Sequence, residues 1–163
     1  AHILRSCRNQ GLAHWLEDTP HAVFYKDHPS FSESDVITQK YWEHALRALD
    51  ILERELPALW TEPGRLASRG AAVMQALNTL QADRKLGWAM AAVIAANLGE
   101  DRLHEAGRTV PGFFAAFQEA AARNPRPAPD LVDCVGAYHR AMPPLGDEAW
   151  SGLPDLLAEF FPE

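Results

Sequence analysis

The stretch K-L-G-W-A-M-A-A-V-I-A-A-N-L-G, from Lys85 to Gly99, decides the fold because nearly every residue in it is apolar. A helix that is apolar on all sides belongs in the interior of a bundle. About thirteen helical residues span only roughly 20 Å, which is too short to cross a membrane. We therefore predict a central apolar helix at about 85–98. Around it we predict an all-α bundle of about six to eight helices that forms a single domain over residues 1–163.

The residues before this stretch also show helical periodicity. Residues 3–17 predict a helix weakened by Gly11. Asp18 to Phe31 contains two prolines and no sustained period, which favours an ordered loop or a short extended piece. The clearest amphipathic helix starts near Asp35 and contains Pro57, where it either kinks or stops and resumes for one turn.

Capping and stop signals place further boundaries around and after the central stretch. Asp83 is a candidate cap for its start, and Gly99 is a helix stop. Residues 100–107 favour one short turn of helix. Thr109 and Pro111 then begin a helix whose inner face carries three aromatic residues, Phe113, Phe114 and Phe117.

A proline-rich run from Asn124 to Pro129 predicts a stiff, extended linker. Two more helices fit the pattern after it, from Asp130 to Met142 and from Asp147 to Phe161. The sequence contains no convincing alternating strand and no internal repeat of fixed period.

Composition and charge narrow the classes of function. With 47% apolar and 23% charged residues in 163, the chain is an ordinary globular domain that does not depend on a metal or a disulfide for its core. A net charge of -7 with 15 scattered Lys and Arg argues against nucleic acid, which requires a clustered basic face. Residues 111–163 contain eight acids and three Arg, so the acidic C-terminal end favours a basic or neutral partner.

The two cysteines, Cys7 and Cys134, lie far apart and match neither a CxxC motif nor a zinc-binding spacing. We expect both to be buried free thiols, with a disulfide as the alternative in an oxidising compartment. The chain begins at Ala1 without Met, so we expect that an initiator Met, a signal peptide or a preceding domain has been removed. No targeting segment is recognisable, and we expect a cytoplasmic protein.

Seven histidines raise the question of a metal centre. His14, His21 and His28 recur every seven residues, whereas a helical zinc site needs ligands at i and i+4. A di-iron bundle needs two Glu-x-x-His motifs, which the chain approximates only once, at 101–104. The G-x-S-x-G, G-x-G-x-x-G and phosphate-loop patterns do not occur. We therefore expect no metal, no cofactor and no identifiable catalytic residue.

Aromatic and titratable residues occur together in the predicted 18–31 loop, and loops carry function more often than scaffold helices do. A pocket between this loop and the helix at about 35–60 would contain Tyr25, His28, Tyr41, Trp42 and His44. The alternative is that the aromatic residues pin an ordered loop onto the bundle.

The end of the chain provides a second candidate surface, in which acidic residues on one stripe accompany large aromatic residues. These are Glu148, Asp155 and Glu159 with Trp150, Phe160 and Phe161. Charge complementarity raises association rates and aromatic residues supply much of the binding energy, so this surface suits a basic protein partner. The alternative is a terminal helix packed on the core with a solvated acidic back.

Three hypotheses of function follow from these patterns. The first is a non-enzymatic, acidic protein-interaction module, such as an adaptor, an inhibitor or an immunity-type protein, that acts through the C-terminal acidic and aromatic residues. The second is a helical domain that binds a small ligand or catalyses a reaction in the pocket described above. The third is a regulatory domain cut from a longer chain. We expect a protein partner, no nucleic acid and no membrane, and the sequence leaves the oligomeric state open.

Overall fold

The computed structural model describes residues 2–25, 31–126 and 141–161, with the backbone alone at 17–25, 31–39, 59 and 63–68. These residues form helices and no strand, which confirms the prediction of an all-α bundle. In chain order the helices are α1 (His2–Tyr25), α2 (Phe31–Glu55), α3 (Pro57–Thr61), α4 (Pro63–Thr79), α5 (Ala82–Leu98), α6 (Glu100–Ala106), α7 (Val110–Arg123), α8 (Asp147–Ser151) and α9 (Leu153–Phe160).

Helix α5 contains the apolar stretch that decides the fold. Every residue from Lys85 to Ile94 is buried, and α5 contacts α1, α2, α4, α6 and α7. Gly99 ends the helix with φ of 89°, a left-handed conformation that favours glycine. The predicted cap is wrong, because Gln81 occupies the cap position and Asp83 lies in the first turn. Gln81 adopts φ of 51° in the short connection between α4 and α5. Because α5 already begins at Ala82, Asp83 lies inside the helix and cannot act as its cap.

Two glycines lie where α1 crosses α5. A Cβ atom added to Gly11 would collide with the backbone of Gly87, and one added to Gly87 would collide with the carbonyl oxygen of Cys7. Gly11, expected only to weaken α1, therefore permits the two backbones to pack against each other. This contact fixes the position of the N-terminal half of α5.

The prediction of a loop or extended piece at 18–31 is wrong for its first part, because α1 continues to Tyr25. Proline holds φ near −65°, which is a helical value, so a helix can continue through Pro20 at the loss of one backbone donor. Residues 26–30 lie outside the described part of the chain.

Helix α2 begins at Phe31 rather than near Asp35, because hydrophobic periodicity locates a helix more closely than it locates the ends of the helix. The helix ends at Glu55, and α3 begins at Pro57. Of the two alternatives at Pro57, the structure therefore shows a helix that stops and resumes for about one turn. Proline lacks the N–H group that would continue the ladder of hydrogen bonds.

Helix α7 buries the three aromatic residues of its inner face, as predicted. Thr109 caps α7 by accepting a hydrogen bond from the N–H of Gly112 at 3.0 Å. The three aromatic residues of its inner face are fully buried: Phe113, Phe114 and Phe117.

The predicted helix from Asp130 to Met142 falls mostly on residues 127–140, outside the described part of the chain, as does Cys134. Met142 itself lies in a non-helical segment, where it is buried and its N–H donates to the Pro125 carbonyl at 2.8 Å. The last predicted helix is divided at Gly152 into α8 and α9.

Candidate functional site

A buried lysine is the most unusual polar feature of the bundle. Lys85, near the start of α5, is only 7% exposed. Its Nζ atom lies 2.8 Å from Nδ1 of His44, which extends from α2. An ammonium group can only donate hydrogen bonds, so Nδ1 accepts and the neutral His44 ring carries its proton on Nε2.

Tyr41 lies one helical turn before His44, so both residues share one face of α2. Nζ of Lys85 lies 4.9 Å from the centroid of the Tyr41 ring, and the guanidinium carbon of Arg84 lies 5.9 Å from the same centroid. Cations at these distances are attracted by the face of an aromatic ring. We call Arg84, Lys85, His44 and Tyr41 the cationic cluster.

The cationic cluster shifts the protonation of its own members. Burial lowers the pKa of Lys85, and the positive charge of Arg84 lowers it further. Burial also lowers the pKa of His44, with further contributions from the charges of Lys85 and Arg47. Glu43 and a hydrogen bond to the backbone of another residue, Leu80, oppose the His44 shift without reversing it. The neutral form of His44 is therefore favoured at neutral pH.

Neither cation of the cationic cluster is paired directly with a carboxylate within the described part of the chain. Neither Lys85 nor Arg84 forms an ion pair there, whereas four exposed arginines do: Arg54, Arg69, Arg102 and Arg123. Asp83 accepts a hydrogen bond from the backbone N–H of Arg84 at 3.0 Å. Nε of Arg84 is buried and has no hydrogen-bond partner within residues 2–25, 31–126 and 141–161. The cluster thus combines positive charge with unused hydrogen-bond donors.

The structure brings together two of the five residues of the predicted pocket, Tyr41 and His44. Trp42, between them in sequence, points into the core, where it is 4% exposed and packs edge-on against Trp88 at 6.4 Å between ring centroids. The Tyr25 side chain and His28 lie outside the described residues.

The predicted pocket does not include Lys85, because a lysine at the start of an apolar helix is usually exposed to solvent. One feature of the sequence does indicate that Lys85 is buried: it is the first residue of a stretch that is apolar on all sides. A helix with no solvent-facing side cannot expose a lysine at its edge as readily as an amphipathic helix can.

The predicted C-terminal surface lies on α8 and α9. All three acids, Glu148, Asp155 and Glu159, are exposed, and none forms an ion pair with the residues that the structure describes. Phe160 is 53% exposed.

The other two aromatic residues of this surface, Trp150 and Phe161, are partly buried and pack against the core. The guanidinium carbon of Arg5 lies 5.8 Å from the centroid of the Phe161 ring.

Cys7 is a free thiol, fully buried in α1. Its Sγ donates a weak hydrogen bond to the carbonyl of Ala82 at 3.5 Å. Burial raises the pKa of the thiol, and the negative charge of Asp83 raises it further, so Cys7 stays protonated and unreactive.

Neither a metal-binding cluster nor a membrane-spanning helix is found among the described residues. No group of three or more His, Cys, Asp or Glu side chains in these residues is placed to hold a metal ion. Among the helices of residues 2–25, 31–126 and 141–161, none has the length and apolar character needed to cross a membrane. Of the three histidines at seven-residue intervals, His14 is buried in α1, and the side chains of His21 and His28 lie outside the description.

Comparison with models of protein families, with curated proteins and with solved structures finds no match to this chain.

Proposed function

We propose that this chain is a non-enzymatic protein-interaction module, such as an adaptor, an inhibitor or an immunity-type protein. It binds a basic partner through the C-terminal surface, which we define as Glu148, Trp150, Asp155, Glu159, Phe160 and Phe161. The observation that carries the proposal is Phe160, a large aromatic residue that is 53% exposed beside acids that have no ion pair in the described part of the chain.

Phe160 is exposed although it lies on the apolar face of α9. Leu153 and Leu157 are buried and lie on the same helical face as Phe160, at intervals of four and three residues. The apolar stripe of α9 therefore extends past the edge of the bundle. An aromatic side chain buries roughly 150–250 Å² when covered, so a partner at this point gains substantial binding energy.

The acids support a basic partner rather than an acidic one. Asp155 and Glu159 are one turn apart on the exposed side of α9, and Glu148 is exposed on α8. Unpaired surface carboxylates steer an oppositely charged protein toward the surface and raise its association rate. Such binding weakens as salt concentration rises.

The test is binding of a partner captured by the wild-type chain and then purified. We expect Glu148→Lys, Asp155→Lys and Glu159→Lys together to abolish binding, and Phe160→Ala alone to weaken it by roughly tenfold or more. Neither variant should change the melting temperature, since all four side chains are exposed.

A matched control reverses three exposed acids elsewhere: Asp50→Lys, Glu100→Lys and Asp101→Lys. Two of these acids lie in the first turn of α6, as Glu148 and Asp155 lie in the first turns of α8 and α9. The control should retain the partner. Equal binding by the wild type and the C-terminal triple variant would contradict the proposal.

We place this function in the cytoplasm. The free thiol of Cys7 supports a reducing compartment.

A further inference from the structure

We propose that the cationic cluster is a binding site for a small oxyanion, either a phosphate or a carboxylate. The site lies between α2 and α5, where Lys85 and Arg84 both lie within about 6 Å of the Tyr41 ring and Lys85 contacts His44. It is separate from the C-terminal surface and does not depend on the protein-interaction proposal.

The first argument is the number of unused donors. The ammonium group of Lys85 has three N–H groups, and its one hydrogen bond to a described residue is to His44. Nε of Arg84 is buried and has no hydrogen-bond partner among the residues that the structure describes. A buried donor that lacks an acceptor costs free energy, and an oxyanion offers several acceptor atoms within a small volume.

The second argument is the uncompensated charge. Lys85 is more than nine-tenths buried, and neither it nor Arg84 forms an ion pair with any described residue. Arg47 adds further positive charge close to His44, and Glu43 is the only acid that acts on the His44 ring among the groups described. An anion that contacts Lys85 would offset part of the desolvation cost of its charge.

The third argument is access from solvent. Tyr41, His44 and Arg84 are each partly exposed, so the cluster lies at the edge of the core rather than in its centre. The partly exposed side chain of Arg84 is therefore the part of the cluster that an ion from solvent would contact first. The Tyr41 ring presents its electron-rich face to both cations, so an anion would have to contact Lys85 and Arg84 on the side away from the ring.

The experiment titrates the full chain with inorganic phosphate and, separately, with acetate, at constant ionic strength maintained with chloride. Binding is followed by backbone NMR shifts and by the melting temperature. We expect one or both oxyanions to shift the resonances of α2 and the start of α5, and about 50 mM of the preferred ion to raise the melting temperature by roughly 2 °C or more.

Lys85→Met keeps the length of the side chain and removes its charge. We expect this variant to fold and to bind the same oxyanion at least roughly tenfold more weakly, because a hydrogen bond to a charged group is lost. Lys40→Met is the matched control, since Lys40 is an exposed lysine of the neighbouring helix α2 and its loss should leave binding unchanged.

The outcomes separate cleanly. Binding of phosphate alone assigns the site to phosphoryl groups, and binding of acetate alone assigns it to carboxylates; either result supports the proposal if Lys85→Met weakens it. Effects no larger than those of chloride, or equal binding by Lys85→Met and the wild type, would overturn it. If Lys85→Met fails to fold, Arg84→Gln removes the other cation of the site at a partly exposed position, and equal oxyanion binding by Arg84→Gln and the wild type would again overturn the proposal.

Discussion

Lys85 opposes the stability of the fold at the point where we propose that an oxyanion binds. A buried ammonium group loses hydration, and the neutral His44 ring and the Tyr41 face replace only part of it. A methionine of similar length would fill the same space without that loss. The lysine is therefore more easily explained by a bound anion than by packing.

The protonation of His44 makes stability depend on pH. Its pKa is lowered below the ordinary 6.5, chiefly by burial and then by the charges of Lys85 and Arg47. Between the lowered pKa and 6.5 the unfolded chain binds more protons than the folded chain, so the free energy of unfolding falls as the pH falls through this window. The stabilising contribution of neutral His44 is fully present above 6.5.

We therefore expect the melting temperature of the wild type to fall more between about pH 7.5 and pH 5 than that of His44→Gln. Glutamine keeps an acceptor for Lys85 but does not titrate. Circular dichroism melts of the two proteins at several pH values measure the difference. Parallel curves for the two proteins would show that His44 does not carry this dependence.

The sequence predicts some contacts within the cationic cluster and not others. Tyr41 and His44 are one turn apart on an amphipathic helix, so their shared face follows from local periodicity. The contact of His44 with Lys85 joins residues 41 positions apart. That contact depends on how α2 and α5 pack, which periodicity does not determine.

At the scale of helices, the crossing of α1 and α5 depends on having no side chain at two positions. Gly87→Ala places a Cβ against the backbone carbonyl of Cys7, which cannot rotate away as a side chain can. We expect a loss of roughly 1–3 kcal/mol in the free energy of unfolding, despite the better helix propensity of alanine. Urea denaturation measures the change.

Gly70→Ala on α4 is the matched control for this substitution. A Cβ at Gly70 would meet nothing within 4 Å, so the same change should stabilise the protein by roughly 0.5–1 kcal/mol through propensity alone. If Gly87→Ala were as stable as Gly70→Ala, the backbones at the α1–α5 crossing would not be packed as described.

Helix ends set by local chemistry are predictable, and those set by packing are not. Three helix ends lie where the sequence predicts them: a left-handed glycine at Gly99, a capping hydroxyl at Thr109 and a missing N–H group at Pro57 determine them. Each of these groups acts within a few residues of its own position. The continuation of α1 through Pro20 and the start of α2 at Phe31 have no such local signal. Tertiary contacts routinely override propensity at such positions.

At the scale of the whole molecule, the C-terminal segments are joined to the bundle by buried and hydrogen-bonded contacts. Helix α9 packs on α7, and α8 packs on α2. The side chain of Gln118 accepts from the N–H of Leu145 at 2.9 Å and donates to its carbonyl at 2.8 Å. The surface proposed to bind a partner is therefore carried by a rigid part of the fold rather than by a loose end.

This connection predicts that the C-terminal surface unfolds together with the core. Thermal unfolding should be one cooperative transition, coincident by far-ultraviolet circular dichroism and by fluorescence of the five tryptophans, with an enthalpy of roughly 110 kcal/mol near 60 °C. Trp150 in α8 reports on the C-terminal surface, whereas Trp42 and Trp88 report on the core. Comparison of the wild type with Trp150→Phe isolates the fluorescence of Trp150 from that of the core tryptophans.

If the Trp150 fluorescence changed at a lower temperature than the other signals, α8 and α9 would form a separately melting unit. A partner bound at the C-terminal surface would then order that unit on binding and would pay the entropy of doing so.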